Sequence, residues 1–226
     1  MSAPVVSGQA DAEAAAHYCA ARLAEAIREA VAERGVAHVA LSGGNTPVRT
    51  YELLGDLVGD GEGVHIWLAD ERCVALDDPE SNTRLISGTV DLPKATLHAV
   101  EGTLGPDAAA AAYAQELGDV VIDVALLGLG PDGHTASLFP GHATLEEHAS
   151  RVLPVSDSPK PPPERVTMSL DTLGSARSLL LLATGEGKAD ALARTLGEPS
   201  LQAPASLLPR ERLEVVADRA ALGEAG

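Results

Sequence analysis

The residue types best suited to chemistry lie in one short stretch, residues 123–140, where an apolar run leads into a glycine-rich loop. The run 124–127 predicts a buried strand, and the loop after it carries an acid and a histidine two positions apart, Asp132 and His134. Imidazole exchanges a proton near neutral pH, so a histidine at the end of a strand is well placed for general-base chemistry. The alternative is a histidine that is satisfied within an ordinary turn.

A second glycine turn follows the apolar run 36–41 and has the composition of an anion-binding loop. It contains Gly43, Gly44, Asn45 and Thr46. Pro47 suits the first turn of the next helix, so backbone N–H groups and the positive end of that helix would face the loop. Such a loop can bind a phosphate or a carboxylate. An ordinary tight turn between a strand and a helix is the alternative.

Charged residues follow two more predicted strands. Asp70 and Arg72 come after the run 64–69, where a carboxylate could accept a proton or hold a sugar hydroxyl and a guanidinium could clamp a phosphate. Lys188 lies in the predicted first turn of a helix, where its charge opposes the helix dipole unless an anion lies between the two. A surface ion pair and a solvated lysine are the alternatives at these positions.

Strands and helices alternate along the chain, and this alternation decides where the loops meet. Apolar runs predict strands over 36–41, 64–69, 97–100, 122–127, 152–155, 166–169, 179–183 and 213–217. Periodicity predicts helices over 10–33, 47–57, 82–86, 107–117 and 188–196, and Thr135 is predicted to cap another. We therefore predict an α/β fold, an open, mostly parallel, Rossmann-like sheet with helices on both faces, in a single domain over residues 1–226. The carboxyl ends of its strands would bring the loops into one site.

Composition excludes several classes of partner. The net charge of −17 predicts repulsion from nucleic acid and from anionic membranes, so neither is expected as a partner. No apolar run approaches the ~20 residues of a membrane span, and the first residues lack the pattern of a secretory signal. Cys19 and Cys73 have no metal-like or redox-like spacing, which indicates free thiols and a cytoplasmic location. We expect a monomer, with a homodimer left open.

Signatures of other chemistries are absent from the sequence. The 43–46 loop is neither a nucleotide-binding loop with Gly-Lys-Ser/Thr nor a dinucleotide fingerprint, and the chain has no Gly-x-Ser-x-Gly or His-Glu-x-x-His. We therefore expect no metal site and no covalent serine mechanism. Cations, backbone donors, a carboxylate and a histidine at several strand ends predict hydrolysis of an anionic, phosphorylated small molecule with His134 as the base.

Several segments, in the same order along most of the chain, resemble the 6-phosphogluconolactonase family. They are Leu-Ser-Gly-Gly-Asn-Thr-Pro (41–47), Ala-Asp-Glu-Arg-Cys-Val (69–74), Ser-Asn (81–82), Gly-Leu-Gly-Pro-Asp-Gly-His-Thr-Ala-Ser-Leu-Phe-Pro-Gly (128–141), Arg-Val-Thr-Met (165–168) and Gly-x-x-Lys (185–188). The run from Asp132 to Pro140 is the most specific of them. The resemblance implies hydrolysis of 6-phospho-D-glucono-1,5-lactone to 6-phospho-D-gluconate in the oxidative pentose phosphate pathway, without metal or organic cofactor.

The resemblance also implies a role for each site residue. His134 would activate the attacking water, and Asp132 would orient or polarise His134. Arg72 and Lys188 would bind the phosphate or the lactone oxygens, and the sequence does not decide which of the two serves which group. The residues expected to complete the substrate-binding site are Gly43, Gly44, Asn45, Thr46, Asp70 and Asn82.

Two other functions remain open on the sequence. Glucosamine-6-phosphate deaminases share the Gly-Gly-x-Thr-Pro loop and an Asp-Gly-His motif, but they usually carry Met-Asp-Glu-Tyr where this chain has Ala-Asp-Glu-Arg at 69–72. They also carry a glutamate of an acid–base relay after the histidine, which this chain lacks. A non-catalytic sugar-phosphate sensor would have no need of both Asp132 and His134. These differences favour lactone hydrolysis.

Overall fold

The computed structural model of the chain describes residues 3–224, over which ten strands and six α-helices form. The strands are β1 (Val5–Gln9), β2 (Ala37–Leu41), β3 (Val64–Leu68), β4 (Asp70–Arg72), β5 (Thr96–His98), β6 (Val124–Gly128), β7 (Val152–Val155), β8 (Arg165–Met168), β9 (Ser178–Ala183) and β10 (Leu213–Asp218). The helices are α1 (Ala12–Arg34), α2 (Val48–Val58), α3 (Asn82–Thr89), α4 (Pro106–Leu117), α5 (Leu170–Gly174) and α6 (Ala189–Leu196).

The central layer is a seven-stranded sheet in the order β1-β10-β9-β6-β2-β3-β5. Every neighbouring pair in it is parallel, which confirms the predicted open α/β sheet with helices on both faces. From β2 the chain adds β3 and β5 on one side and then β6, β9 and β10 on the other. The boundary between β2 and β6 is therefore a topological switch point, the place where such sheets open a crevice for ligands.

Three strands lie outside the parallel sheet, in a second sheet of order β4-β8-β7. Its pairs are antiparallel, with Asp70 opposite Thr167 and Arg72 opposite Arg165. We predicted strands at 152–155 and 166–169 correctly, but as members of the parallel sheet, and we described residues 70–72 only as following the strand 64–69. The chain turns at Ala69, whose carbonyl accepts from Met168 N–H at 2.8 Å, so the new strand pairs with β8 instead of continuing β3.

Helix α1 shows why the alanine-rich segment folds as predicted. Most of its buried side chains are small, so the helix packs closely over the strands. Leu23 and Ile27 fill the remaining space. Asp11 caps its first turn by accepting from Ala14 N–H at 2.8 Å. Gly35 ends it in the left-handed conformation, with φ of 74°. No helix within residues 3–224 is long and apolar enough to cross a membrane.

Two elements carry no pattern that predicts them. Strand β1 is an edge strand that exposes Val5 and Val6, so its sequence shows no alternation of buried and exposed apolar residues, and its pairing with β10 depends on the finished sheet. Helix α5 has only five residues, too few for periodicity to indicate a helix.

Candidate active site

A cavity of about 400 Å³ lies at the switch point, over the carboxyl ends of β2 and β6. Of the predicted site residues, Gly43, Gly44, Asn45, Thr46, Asp70, Arg72, Asn82, His134 and Lys188 line it. Asp132 lies behind His134, in contact with its ring. The fold thus brings together segments that are up to 145 positions apart between Gly43 and Lys188.

The Asp132–His134 pair forms the chemical centre of the cavity. Oδ1 of Asp132 lies 2.5 Å from Nδ1 of His134, so the neutral ring carries its proton on Nδ1 and keeps the lone pair on Nε2. The loop is closed by two backbone hydrogen bonds, from Gly130 N–H to the His134 carbonyl at 2.8 Å and from Gly133 N–H to the Gly130 carbonyl at 2.9 Å. Gly133 reaches the required φ of +96° because it has no Cβ.

The surroundings of His134 keep it neutral and basic. Burial lowers its pKa below the ordinary value of 6.5, because desolvation penalises the imidazolium. The hydrogen bond and negative charge of Asp132 oppose this effect, and the charge of Lys160 reinforces it. Burial alone would raise the pKa of Asp132, but the hydrogen bonds from His134 and the charges of His134 and Lys160 together outweigh it and hold the pKa below its ordinary value. At pH 7 the pair is therefore a carboxylate beside a neutral imidazole.

The 43–46 loop lines the cavity and is shaped by two glycines. Gly44 adopts φ of +89°, and Gly43 packs so closely against Asn82 that a Cβ would lie 1.8 Å from Oδ1 of that side chain. Helix α2 starts directly after the loop and has no side-chain cap, and the N–H of its first residue, Val48, donates to the Asn45 carbonyl at 3.4 Å. The positive end of the helix therefore lies next to the loop. Ser42 adds a buried hydroxyl, which has no hydrogen-bond partner among residues 3–224.

Strand β4 divides the charged run 70–72 between its two faces, since side chains alternate along a strand. Asp70 and Arg72 line the cavity. Glu71 points the other way and caps α3, where its carboxylate accepts from the N–H groups of Asn82 and Thr83, each at 2.7 Å. Asp70 accepts from Ser137 Oγ at 2.6 Å. Of these two acids, the sequence analysis gave a role only to Asp70, and in the structure Glu71 is occupied by its hydrogen bonds to α3.

Four cationic side chains line the cavity, two of which we did not predict as site residues. Lys188 precedes α6 instead of lying within its first turn, and its ammonium donates to the Leu129 carbonyl at 2.7 Å. Burial, reinforced by the charge of Lys160, lowers the pKa of Lys188. Arg72 donates to the Glu80 carbonyl, and its Nε has no partner in the described part of the chain. The two additional cations are Lys160 and Arg165.

The sequence held weak signals for the residues that we missed. Arg165 begins the Arg-Val-Thr-Met segment, and Lys160 lies in the proline-rich loop 159–163, which we treated only as a connection. Thr135 corrects a further prediction, because it caps no helix. The chain folds back after it in a turn closed by Leu138 N–H and the Thr135 carbonyl at 3.0 Å, and Ala136 adopts φ of 49° there. Within residues 3–224, no cluster of three His, Cys, Asp or Glu side chains has metal-binding geometry.

Comparisons with known proteins agree with this geometry. A family model described as glucosamine-6-phosphate isomerases/6-phosphogluconolactonase matches residues 10–217. A 6-phosphogluconolactonase from Streptomyces coelicolor is 40% identical over 223 aligned residues, covering 87% of this chain and 84% of that protein. The crystal structure of a 6-phosphogluconolactonase from Shewanella baltica matches with a TM-score of 0.87 and 29% identity, covering 95% of this chain and 97% of that one. A monomeric glucosamine-6-phosphate deaminase has a TM-score of 0.82 and 25% identity, covering 98% and 100%.

Proposed function

This chain belongs to the family of glucosamine-6-phosphate isomerases and 6-phosphogluconolactonases, and we propose that His134 is the general base with which it opens a sugar-phosphate lactone. The chain is an enzyme that hydrolyses 6-phosphogluconolactone to 6-phosphogluconate in the pentose phosphate pathway. The observation that supports the role of His134 is the Asp132–His134 pair, which lies within a cavity lined by cations. The lone pair on Nε2 is the only basic site left on the neutral ring.

The proposed reaction begins when a water molecule attacks C1 of the lactone while Nε2 of His134 takes one of its protons. Negative charge develops on the former carbonyl oxygen, and a nearby cation or N–H group stabilises it. The C1–O5 bond then breaks, and the ring oxygen leaves as the hydroxyl after accepting the proton from the imidazolium. Asp132 stabilises that imidazolium by accepting a hydrogen bond from its Nδ1–H throughout the reaction. Protons move only between water, His134 and the substrate, so the proposed reaction requires no cofactor.

Substrate binding is assigned to the predicted loops and cations. We propose that Gly43, Gly44, Asn45 and Thr46 contribute backbone donors to the anion, together with the start of α2. Asp70 is placed to accept a hydrogen bond from a sugar hydroxyl, and Asn82 orders it by donating to the Asp70 carbonyl at 2.8 Å. Arg72 and Lys188 would bind the phosphate or the oxyanion through charge-assisted hydrogen bonds.

Replacement of Arg72 or Lys188 by alanine is expected to raise KM by roughly 10- to 100-fold, because each change removes a charge-assisted hydrogen bond from a partly desolvated site. A cation that binds the phosphate should change KM with little effect on kcat, whereas one that binds the developing oxyanion should also lower kcat. Steady-state kinetics on both variants therefore separates the two roles. Lys94→Ala is the matched control, since Lys94 is exposed and pairs with Asp60 and Glu62. Unchanged KM in both variants would show that the phosphate lies elsewhere.

The activity itself is best measured on lactone generated immediately before use, because the ring also opens spontaneously. The product is followed through 6-phosphogluconate dehydrogenase and the absorbance of NADPH. We expect clear acceleration over the spontaneous rate and no release of ammonia from glucosamine 6-phosphate. Release of ammonia without lactone hydrolysis would instead indicate the deaminase reaction, and binding without either reaction would indicate a sensor.

The location, oligomeric state and partners of the enzyme are also proposals. We propose that it acts in the cytoplasm as a single-domain monomer, with no nucleic acid or membrane among its partners. The free thiols of Cys19 and Cys73 support a reducing compartment, because neither is in a disulfide in the described structure. The net charge of −17 supports the absence of anionic polymers among its partners.

A further inference from the structure

Lys160 reaches the Asp132–His134 pair from a distant part of the chain. It lies in the proline-rich loop between β7 and β8, and its Nζ is 3.5 Å from Oδ2 of Asp132 and 3.3 Å from Nδ1 of His134. Asp132 therefore has two different neighbours, with Oδ1 on the imidazole and Oδ2 on the ammonium. This arrangement restricts rotation of the carboxylate, because a turn that releases one neighbour also releases the other.

Arg165 holds the backbone at Lys160 in place. This side chain is 5% exposed, and its guanidinium donates to three successive carbonyls, those of Lys160 at 3.1 Å, Pro161 at 3.0 Å and Pro162 at 3.0 Å. Ser158 fastens the same residue from the other side, since its Oγ donates to the Lys160 carbonyl at 2.9 Å. The guanidinium also donates to Ser137 Oγ at 3.4 Å, so it is held from both sides, and its three hydrogen bonds to one loop make the position of that loop specific.

The position of Lys160 also has an electrostatic consequence for the base. The groups that face His134 are Asp132 and Asp70, which favour the imidazolium, and Lys160, which disfavours it. Lys188 lies in the same cavity and interacts with both Lys160 and Asp132. An ammonium cannot accept a proton, so the Nδ1–H of His134 must be directed to Asp132 and not to Lys160. Asp132, the acceptor 2.5 Å from Nδ1, favours the tautomer in which Nε2 carries the lone pair, and the contribution of Lys160 is to hold that carboxylate through Oδ2.

We propose that Lys160 is a positioning residue for the lactone-opening reaction, which fixes Asp132 against Nδ1 of His134 while Arg165 holds Lys160 in place. The inference rests on the proposed function in so far as His134 is the general base. It adds Lys160 and Arg165 to the Asp132–His134 pair. Arg165 lies in β8 of the second sheet, and Lys160 lies in the loop between β7 and β8. The role is indirect, since Lys160 acts through the carboxylate and needs no contact with the lactone.

The test uses Lys160→Met, which keeps the length of the side chain and removes its charge. The tautomer and titration of His134 are measured by long-range proton–nitrogen NMR of the histidine rings, with His134→Asn assigning the signal. We expect the wild-type ring to carry its proton on Nδ1 and to titrate below pH 6.5. In Lys160→Met the titration should move to higher pH. The acid limb of kcat should move the same way, with kcat lowered roughly 10- to 100-fold and KM little changed.

Lys160→Arg and Lys94→Met complete the design. Lys160→Arg restores a cation and should return both the titration and the acid limb towards the wild-type values. Lys94→Met removes an exposed lysine outside the cavity and should change neither. An unchanged His134 titration in Lys160→Met, or a large rise in KM with kcat preserved, would overturn the proposal. The second result would make Lys160 a substrate ligand.

Arg165→Lys tests the clamp separately, because a lysine keeps the charge but cannot reach three carbonyls at once. It should shift the His134 titration in the same direction as Lys160→Met, and the double variant should shift it no further than Lys160→Met alone. Additive shifts would contradict a role through Lys160. The NMR results do not depend on turnover, so wild-type protein that failed to hydrolyse the lactone would contradict the proposed function alone.

Discussion

His134→Ala is expected to lower kcat by about 10²- to 10⁴-fold, the range that a positioned general base contributes. The reason is that Nε2 carries the free lone pair of the His134 ring, which lines the cavity. Without this base, the attacking water must lose its proton to solvent. KM should change little, because the cations and the 43–46 loop that bind the anion remain. Steady-state kinetics on freshly made lactone, corrected for spontaneous opening, measures both constants.

The chain offers a matched control for this variant. His148 is another histidine whose Nδ1 contacts a carboxylate, that of Asp171 at 2.7 Å, but the pair is exposed and lies outside the cavity. His148→Ala should therefore leave kcat and KM unchanged. If His134→Ala retained near-normal turnover, the base would have to be another group, and Asp70 would be the next candidate because it lines the same cavity.

Gly130→Ala is expected to lower activity by about 100-fold or more, although the substitution adds one methyl group. A Cβ at Gly130 would lie 2.0 Å from Nδ1 of His134 and 2.6 Å from Oδ1 of Asp132. Neither atom can stay in place, so the methyl group must break the hydrogen bond between the two side chains or displace the loop. The measurement is kcat together with the His134 titration, which should lose the influence of Asp132.

Gly88→Ala is the control for the effect of replacing a glycine as such. Gly88 is exposed in α3, and a Cβ there would meet nothing within 4 Å. Alanine is the better helix former, so this variant should keep full activity and be slightly more stable, by at most about 1 kcal/mol. Thermal unfolding of both variants separates loss of the pair from loss of the fold. Normal activity in Gly130→Ala would show that the close packing of His134 is unimportant for catalysis.

Local patterns in the sequence were sufficient to predict most of the helices and strands. Residues 10–33 predict α1, which spans Ala12–Arg34, because an apolar stripe at helical spacing and a glycine stop are both properties of neighbouring residues. The glycine turns after β2 and β6 were predicted in the same way. Parallel strands share one carboxyl edge, so the sequence also indicated that Gly43, His134 and Lys188 would meet.

Contacts between strands of the second sheet could not be predicted in this way. Arg165 faces the cavity because β8 pairs antiparallel with β4 in a register that sets it opposite Arg72. That register depends on hydrogen bonds between residues 93 to 97 positions apart in the sequence, and no local sequence pattern indicates it. The same strand β4 turns Asp70 and Glu71 to opposite faces, and the loop between β7 and β8 brings Lys160 to Asp132.

The sequence by itself determined the chemical groups of this protein and the sheet edge at which they gather. Periodicity and glycine turns report how a segment folds against its immediate neighbours, and the parallel sheet then follows from their alternation. Only the tertiary structure decided which charges touch the base and which acid serves as a helix cap. Those outcomes depend on strand register and on the packing of distant loops, where a shift of one residue would turn each side chain to the opposite face.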